Sequence, residues 1–250
     1  MAKLLERLNR TVEAGPRLGF SMASAANAPA LFILAALESG DKAAAQAAAH
    51  AGAGGLLVRQ VTKAKTSLRD SLGLAESIPV GGQASEKAQT AGWDFALVEA
   101  TTALEALSGD QLDLVLLLPQ DASDAFYRLL ESLPVDAFVV DSPVQNPTVA
   151  TLLPFYRAAA STQKPVLAKA PLDASPALLR ALRDSGVAGL LVDVTAENAK
   201  QLGDLKSAVA ALPAKKKKAS RVRPSIGMGL SGLGGNRPEA PAEPDEDDDE

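Results

Sequence analysis

Residues 165–193 read PVLAKAPLDASPALLRALRDSGVAGLLVD. Two short apolar runs, Pro165–Lys169 and Gly189–Asp193, flank a segment, Ser175–Asp184, whose apolar residues recur at helical spacing. Ser175-Pro176 places an N-cap ahead of a proline at the first helical position, where the missing N–H is no loss. Gly186 supplies the left-handed residue that ends such a helix. Each flanking run is too short for a helix and apolar throughout, as expected of a strand buried on both faces. Strand, helix, strand in that order predicts two parallel strands joined by a helical crossover.

The same unit recurs along the chain. Further runs are Leu31–Leu37, Gly55–Arg59, Ile78–Val80, Asp94–Glu99, Leu112–Leu118 and Ala137–Asp141, which brings the number to eight. Between them lie Ala/Leu/Lys/Glu-rich segments such as 41–51, 123–133 and 196–212, and Gly52 and Gly92 stand where helices need a stop. Eight strands within residues 30–213 favour a closed (β/α)8 TIM barrel over an open doubly wound sheet. An open sheet would carry a glycine-rich turn after its first strand, and Leu37-Glu-Ser-Gly-Asp41 offers only Gly40. Gly52-Ala-Gly-Gly55 follows a helix and precedes a strand, the wrong order for a dinucleotide fingerprint. Gly232-Leu-Gly-Gly-Asn236 lacks the Lys-Ser/Thr of a phosphate loop.

Residues 1–29 form an expected N-terminal helix and connector. Leu4, Leu5, Leu8 and Val12 fall on one helical face, which suits a plug for the N-terminal end of the barrel or a contact with another subunit. Gly19-Phe-Ser-Met22 is a candidate extra strand. Residues 214–250 lose all periodicity, collect Gly, Pro and Ser, and are expected to form a disordered tail.

Composition narrows the chemistry. The chain has no cysteine, which removes disulfides, thiolate nucleophiles and thiolate zinc sites. Its one histidine, His50, falls near the end of the first helix after a strand, away from any site such a barrel would build, so histidine-based catalysis is not expected. The early charges of Met1-Ala-Lys-Leu-Leu-Glu-Arg-Leu8 interrupt any secretory signal, and the longest apolar stretch, 28–37, is half of what a membrane helix needs. A cytoplasmic protein without membrane contact is the expectation.

The net charge of −5 conceals a segregated C-terminus. Lys215–Lys218, Arg221 and Arg223 are followed by an acidic run ending at Glu250. The basic block lacks interleaved aromatics for base stacking, and the acidic run competes for it, so nucleic acid is a disfavoured partner. Ile226, Met228, Leu230 and Leu233 between the two blocks suit a segment that docks on a protein partner.

Active sites of (β/α)8 barrels sit at the C-terminal ends of the strands. The residues that close the runs are therefore the candidates: Glu38, Arg59 with Gln60, Gln83, Glu99, Gln120 with Asp121, Asp141, Lys169 and Asp193. Asp94 and Asp113, at strand starts, belong to the opposite, stabilising end. Lys169 stands among apolar neighbours, where a desolvated amine can act as a base or form a Schiff base with a carbonyl compound. Asp141 and Asp193 lie on the strands to either side of it; with Glu99 they complete the candidate catalytic set. The alternative is that Lys169 merely pairs with one of those carboxylates. Arg59, Gln83, Glu38 and the backbone of Gly81-Gly82 are candidate ligand contacts.

No spacing demands a metal, although an oxygen-ligated Mg²⁺ could sit among such carboxylates. The loops after the seventh and eighth runs, Ala170–Ser175 and Val194–Asn198, contain no glycine, which argues against FMN and against sugar phosphates bound in the usual way. No cofactor is expected.

Across residues 30–212 the alternation resembles the aldolase-type TIM-barrel superfamily. That resemblance implies the (β/α)8 fold and a superfamily rich in lyases and isomerases, without assigning a reaction. Two functions remain open: a lysine-dependent lyase or isomerase of a small carbonyl compound, and a non-catalytic barrel that binds a ligand or serves as a scaffold, its tail contacting a protein partner. Self-association is compatible with either.

Overall fold

The computed structural model describes residues 3–13, 29–61, 67–84, 92–103, 112–119, 122–142 and 147–213. Eight parallel strands close into a barrel in sequence order: β1 Phe32–Ser39, β2 Gly55–Gln60, β3 Val80–Gln83, β4 Phe95–Val98, β5 Asp113–Leu118, β6 Ala137–Val140, β7 Val166–Lys169 and β8 Gly189–Asp193. The ring closes through β1 and β8, where Phe32 is in register with Gly189 and Ala36 with Asp193. The chain is a (β/α)8 TIM barrel.

The helices are α1 Lys3–Glu13, α2 Lys42–Ala51, α3 Leu68–Leu72, α4 Asp124–Leu129, α5 Val149–Ser161, α6 Pro176–Asp184 and α7 Ala199–Ala210. Their starts are fixed by short polar side chains that satisfy orphan backbone donors. Asp41 accepts from the Ala43 amide, Ser123 from Phe126 and Ser175 from Leu178, and Thr148 and Thr151 cap each other reciprocally. The stops at Gly52 and Gly186 have φ of 97° and 101°, conformations that favour glycine; Gly92 has φ of 76°, and the segment expected to end there lies outside the described residues. His50 is exposed near the end of α2.

The strands differ from the sequence reading chiefly at β3. The Ile78-Pro-Val80 run enters the sheet only at Val80, and the strand continues through Gly81, Gly82 and Gln83. Gly81 and Gly82 therefore lie in a buried strand and not in a loop following it. Their missing side chains make room for rings: a Cβ on Gly82 would meet the Trp93 indole, and one on Gly81 would meet Phe95. Gly54 does the same for Phe32. A barrel with only 4% aromatic residues thus seats three of its large rings against glycines.

Alternation along each strand divides two packed layers. Phe32, Leu34 and Ala36 of β1, Leu57, Phe95, Leu97, Val115, Val139, Leu167 and Leu191 form one cluster, the barrel interior. Leu4 and Leu8 of α1 belong to that cluster, 1% and 0% exposed, so α1 plugs the barrel. The larger cluster joins Ile33, Ala35, Leu56, Val58, Ala96, Phe138, Leu190 and Val192 to the surrounding helices.

Aspartates at strand starts stitch the N-terminal end. The Val80 amide donates to Asp94 at 2.8 Å and the Leu114 amide to Asp136 at 2.8 Å, each across a strand pair. Asp94 is also ion-paired with Arg69, both side chains largely buried. Asp113 accepts from the Leu5 amide of the plug at 3.2 Å. Burial pushes the Asp113 carboxyl above the usual carboxylate range, the Leu5 amide opposes that shift, and the charges of Asp136 and Asp94 reinforce it.

A raised carboxyl means that the folded state holds its proton to higher pH than the unfolded chain does. The stability associated with Asp113 is therefore fully present at acid pH and falls as pH rises from the unfolded value through the folded one. Asp113→Asn keeps an oxygen for Leu5 without the charge. Thermal unfolding is expected to show a higher Tm for the variant at neutral pH, with the difference vanishing below the normal carboxylate range; a variant less stable at every pH would contradict it.

Candidate functional site

The alternation that builds the apolar interior continues one step further at the C-terminal end. Glu38 follows Ala36 in phase, Arg59 follows Leu57, Glu99 follows Leu97, Asp141 follows Val139, Lys169 follows Leu167 and Asp193 follows Leu191. Gln83 stands in the same phase on β3, two residues after Gly81. Seven strands thus direct a polar side chain toward the mouth above an apolar interior. On β5 the equivalent phase falls on Leu117 and Pro119, and Gln120 and Asp121 lie outside the described residues.

The mouth resolves into three groups. Arg59 spans β8, β1 and β2: one guanidinium nitrogen is ion-paired with Asp193, and another lies 3.7 Å from Glu38, which also accepts from Gln60 at 2.7 Å. On β3 and β4, Gln83 donates to Glu99 at 3.1 Å. On β6 and β7, Lys169 Nζ donates to Asp141 Oδ2 at 3.4 Å, with side chains 37% and 31% exposed. Asp193 is engaged by Arg59, so the triplet of Asp141, Lys169 and Asp193 drawn from sequence order separates into a pair and a different network. Glu99 belongs to neither.

Solvent reaches all these pairs. None contributes more than about 1 kcal/mol to folding, because exposed ion pairs are screened and lose side-chain entropy. Stability therefore does not explain a polar ring of this extent.

Beside Asp141 lies a cavity of about 190 Å³ lined by Leu118, Pro119, Tyr127, Val140, Asp141, Ser142 and Pro154. Leu118 and Val140 belong to the outer packing layer, which puts the cavity between the ends of β5 and β6 and helices α4 and α5. Burial pushes the Tyr127 phenol above its ordinary range, Arg157 opposes and Asp124 adds to the shift, so the hydroxyl is a donor at neutral pH. Tyr127, Ser142 and Pro154 were not legible as site residues, since the cavity depends on how two helices lean against two strand ends. Among the described residues, no group of three His, Cys, Asp or Glu side chains is arranged to hold a metal ion.

The architecture has solved counterparts. The tryptophan synthase α-subunit of Pyrococcus furiosus, in its E103A form, superposes with a TM-score of 0.55 at 12% identity, over 74% of this chain and 98% of that one. The likeness is one of fold. The (S)-3-O-geranylgeranylglyceryl phosphate synthase of Thermoplasma acidophilum, solved with sn-glycerol-1-phosphate, gives a TM-score of 0.55 at 13% identity, over 84% of this chain and 99% of that one. A protein from Aquifex aeolicus VF5 gives 0.54 at 12% identity. What they share with this chain is the fold, in agreement with the closed (β/α)8 barrel that the alternation of strands and helices implied. No protein-family model and no curated protein matches the sequence. Among the described residues, no helix is long and apolar enough to cross a membrane.

Proposed function

We propose that this barrel is a lyase or isomerase of a small carbonyl compound, with Lys169 as its reactive amine and Asp141 as the proton-transfer group. The observation that supports this reading is the Lys169–Asp141 pair. The amine is at the C-terminal end of a barrel strand, a third exposed, and among the described residues held by one long contact of 3.4 Å, whereas Arg59 is committed to two carboxylates. Two of the structural counterparts are synthases, which agrees with catalysis in this architecture but does not choose a reaction.

The chemistry balances with these two groups. Asp141 takes a proton from the Lys169 ammonium, the freed Nζ adds to the carbonyl carbon, and the same proton passes to the resulting hydroxyl, which leaves as water to give a protonated imine. That cation withdraws electrons from the neighbouring bond. Asp141 takes a proton from a β-hydroxyl, so that the C–C bond breaks, or from the α-carbon, so that an isomer forms on return of the proton. The carboxylate is within a hydrogen bond of the nitrogen and so lies close to the carbon that the nitrogen captures. No cofactor is required, and the cytoplasm is the proposed setting.

The test is reductive trapping. Incubation with short aldehydes and 2-keto acids in the presence of borohydride is expected to give a secondary amine on the peptide carrying Lys169, absent in Lys169→Ala. No adduct, or adducts spread equally over surface lysines in both proteins, overturns the assignment.

A second reading, a non-catalytic barrel, is favoured by one specific observation: Arg59 with Asp193 and Glu38, and Gln83 with Glu99, are already paired. In that reading residues 214–250 supply the contacts, with a protein as partner. A pull-down comparing the full chain with one ending at Pro213 separates the two; identical partner sets remove the tail from it.

A further inference from the structure

The cavity beside Asp141 is walled in part by side chains that cannot move aside. Pro119 directly follows β5, and Pro154 lies inside α5, where a proline forfeits the backbone hydrogen bond that any other residue would make. The helix nevertheless runs unbroken from Val149 to Ser161. Leu118, Val140 and the ring of Tyr127 complete the apolar part of the lining. Unfilled apolar space of this kind destabilises a fold, because the atoms around it lose contacts they would otherwise make. Here two rigid rings hold it open.

Tyr127 is the most informative of the lining residues. It is only 7% exposed, yet its hydroxyl makes no hydrogen bond among the described residues. No fully enclosed side-chain nitrogen or oxygen among those residues lacks a partner, so this hydroxyl keeps access to open space. The cavity is the space that Tyr127 lines. What the protonated phenol offers there is a hydrogen-bond donor.

Volume and this donor together select an occupant. The cavity, about 190 Å³, exceeds the roughly 150 Å³ that holds benzene in an apolar protein cavity. A six-membered ring with one substituent fills such a space, and the Tyr127 ring can meet an aromatic guest edge to face. A wholly apolar guest would strand the phenol hydroxyl, so the ring has to carry an acceptor. The cavity joins the mouth through Asp141, which lines it and lies 3.4 Å from the Lys169 amine.

We propose that this cavity holds an aromatic ring bearing a hydrogen-bond acceptor, and that the substrate is a β-hydroxy ketone whose hydroxyl-bearing carbon carries that ring. The second half rests on the Lys169–Asp141 chemistry; the binding of the ring does not. Tyr127 donates to the acceptor on the ring, which puts the β-hydroxyl beside Asp141 and the ketone carbon toward Lys169. With the imine formed on that ketone, Asp141 takes the hydroxyl proton and the bond between the α- and β-carbons breaks. The ring leaves as an aryl aldehyde, and the bonding electrons pass into the imine to give an enamine. The enamine takes the proton back on carbon, and water then releases the ketone and the free amine. Tyr127 is on this account a specificity-determining residue, and Ser142, next to Asp141 on the cavity wall, limits the size of the guest.

The ring and the reaction are tested separately on the full chain. para-Methoxybenzyl alcohol has no carbonyl and cannot form an imine, so its calorimetric titration reads the cavity alone. Saturable binding is expected, and it should persist in Lys169→Ala. Tyr127→Phe keeps the ring and the packing and is expected to weaken binding about tenfold, the value of one hydrogen bond. Ser142→Leu, which fills the cavity, is expected to abolish it, with Tm no lower than that of the wild type. Cleavage of the aldol adduct of para-methoxybenzaldehyde and acetone, followed by release of the aldehyde, is expected to be lost in Lys169→Ala. No saturable binding of the alcohol, or equal binding in Tyr127→Phe and Ser142→Leu, overturns the ring subsite even where borohydride traps keto acids on Lys169. Binding with the expected pattern but no adduct on Lys169 upholds the subsite and overturns the lysine chemistry.

Discussion

Lys169→Ala is expected to lower turnover of the carbonyl substrate by at least about a thousandfold, with much less change in KM. An amine that forms the covalent intermediate has no substitute among the neighbouring groups: Asp141 cannot form an imine, and Arg59 is a guanidinium held by two carboxylates. Lys169→Arg sharpens the test, because it keeps the charge next to Asp141 but lacks a usable nucleophile. It is expected to be as inactive as the alanine variant, which separates chemistry from charge balance. Asp141→Asn is expected to retain borohydride trapping at Lys169 and to lose about a hundredfold in kcat, the size usual for a positioned general base. Full activity in both Lys169 variants would assign the pair a structural role and favour the binding reading.

The barrel was legible because its signal is redundant. Each of the eight apolar runs contributes to the sheet, and the predicted cap at Ser175 accepts from the Leu178 amide as expected. The plug was also legible, since Leu4 and Leu8 share a helical face and have nothing else to cover. What escaped was structure whose cause is a neighbour in space. The extent of β3 depends on Phe95 and Trp93 occupying the room that Gly81 and Gly82 leave, whereas in sequence the two glycines read as backbone open to a ligand after the strand. Helix α5 gave a weak signal because Pro154 sits inside it and its outward face is apolar, so it lacks the polar stripe by which amphipathic helices are recognised.

The candidate site shows the same division. In sequence the candidates are the residues that close each run; the inward phase that most of them share comes from the structure, because side chains alternate along a strand. Partner choice was not readable. Sequence order makes Asp193 a neighbour of Lys169, but closure of the barrel puts β1 on the other side of β8, and Arg59 reaches across β1 to take Asp193. Gln83 to Glu99 likewise depends on the position of β3 in the sheet, with Gln83 in register with Leu97. The candidate extra strand at Gly19–Met22 and the tail from 214 onward lie outside the described residues.

Gly81 and Gly82 allow a prediction in which two adjacent glycines respond oppositely to the same repair. A Cβ on Gly81 would come 2.3 Å from the backbone oxygen of Phe95 and 2.6 Å from two atoms of its ring. A Cβ on Gly82 would come 2.4 Å from two atoms of the Trp93 indole, and all three of its nearest neighbours belong to that side chain. Either alanine substitution overpacks a buried strand and is expected to cost about 3 kcal/mol, at the upper end for such changes, or about 6–12 °C in Tm for a domain of this size. The repair differs because the obstacles differ. Trp93→Leu removes everything that Gly82→Ala would meet, so the double variant should be little worse than Trp93→Leu alone, with a coupling energy of about 2 kcal/mol. Phe95→Leu leaves the Phe95 carbonyl where it is, so Gly81→Ala is expected to remain costly in that background. Urea unfolding of the two double-mutant cycles measures both. Equal rescue at the two positions would mean that β3 and β4 can separate at Gly81, and the rigidity attributed to the barrel wall there would be wrong.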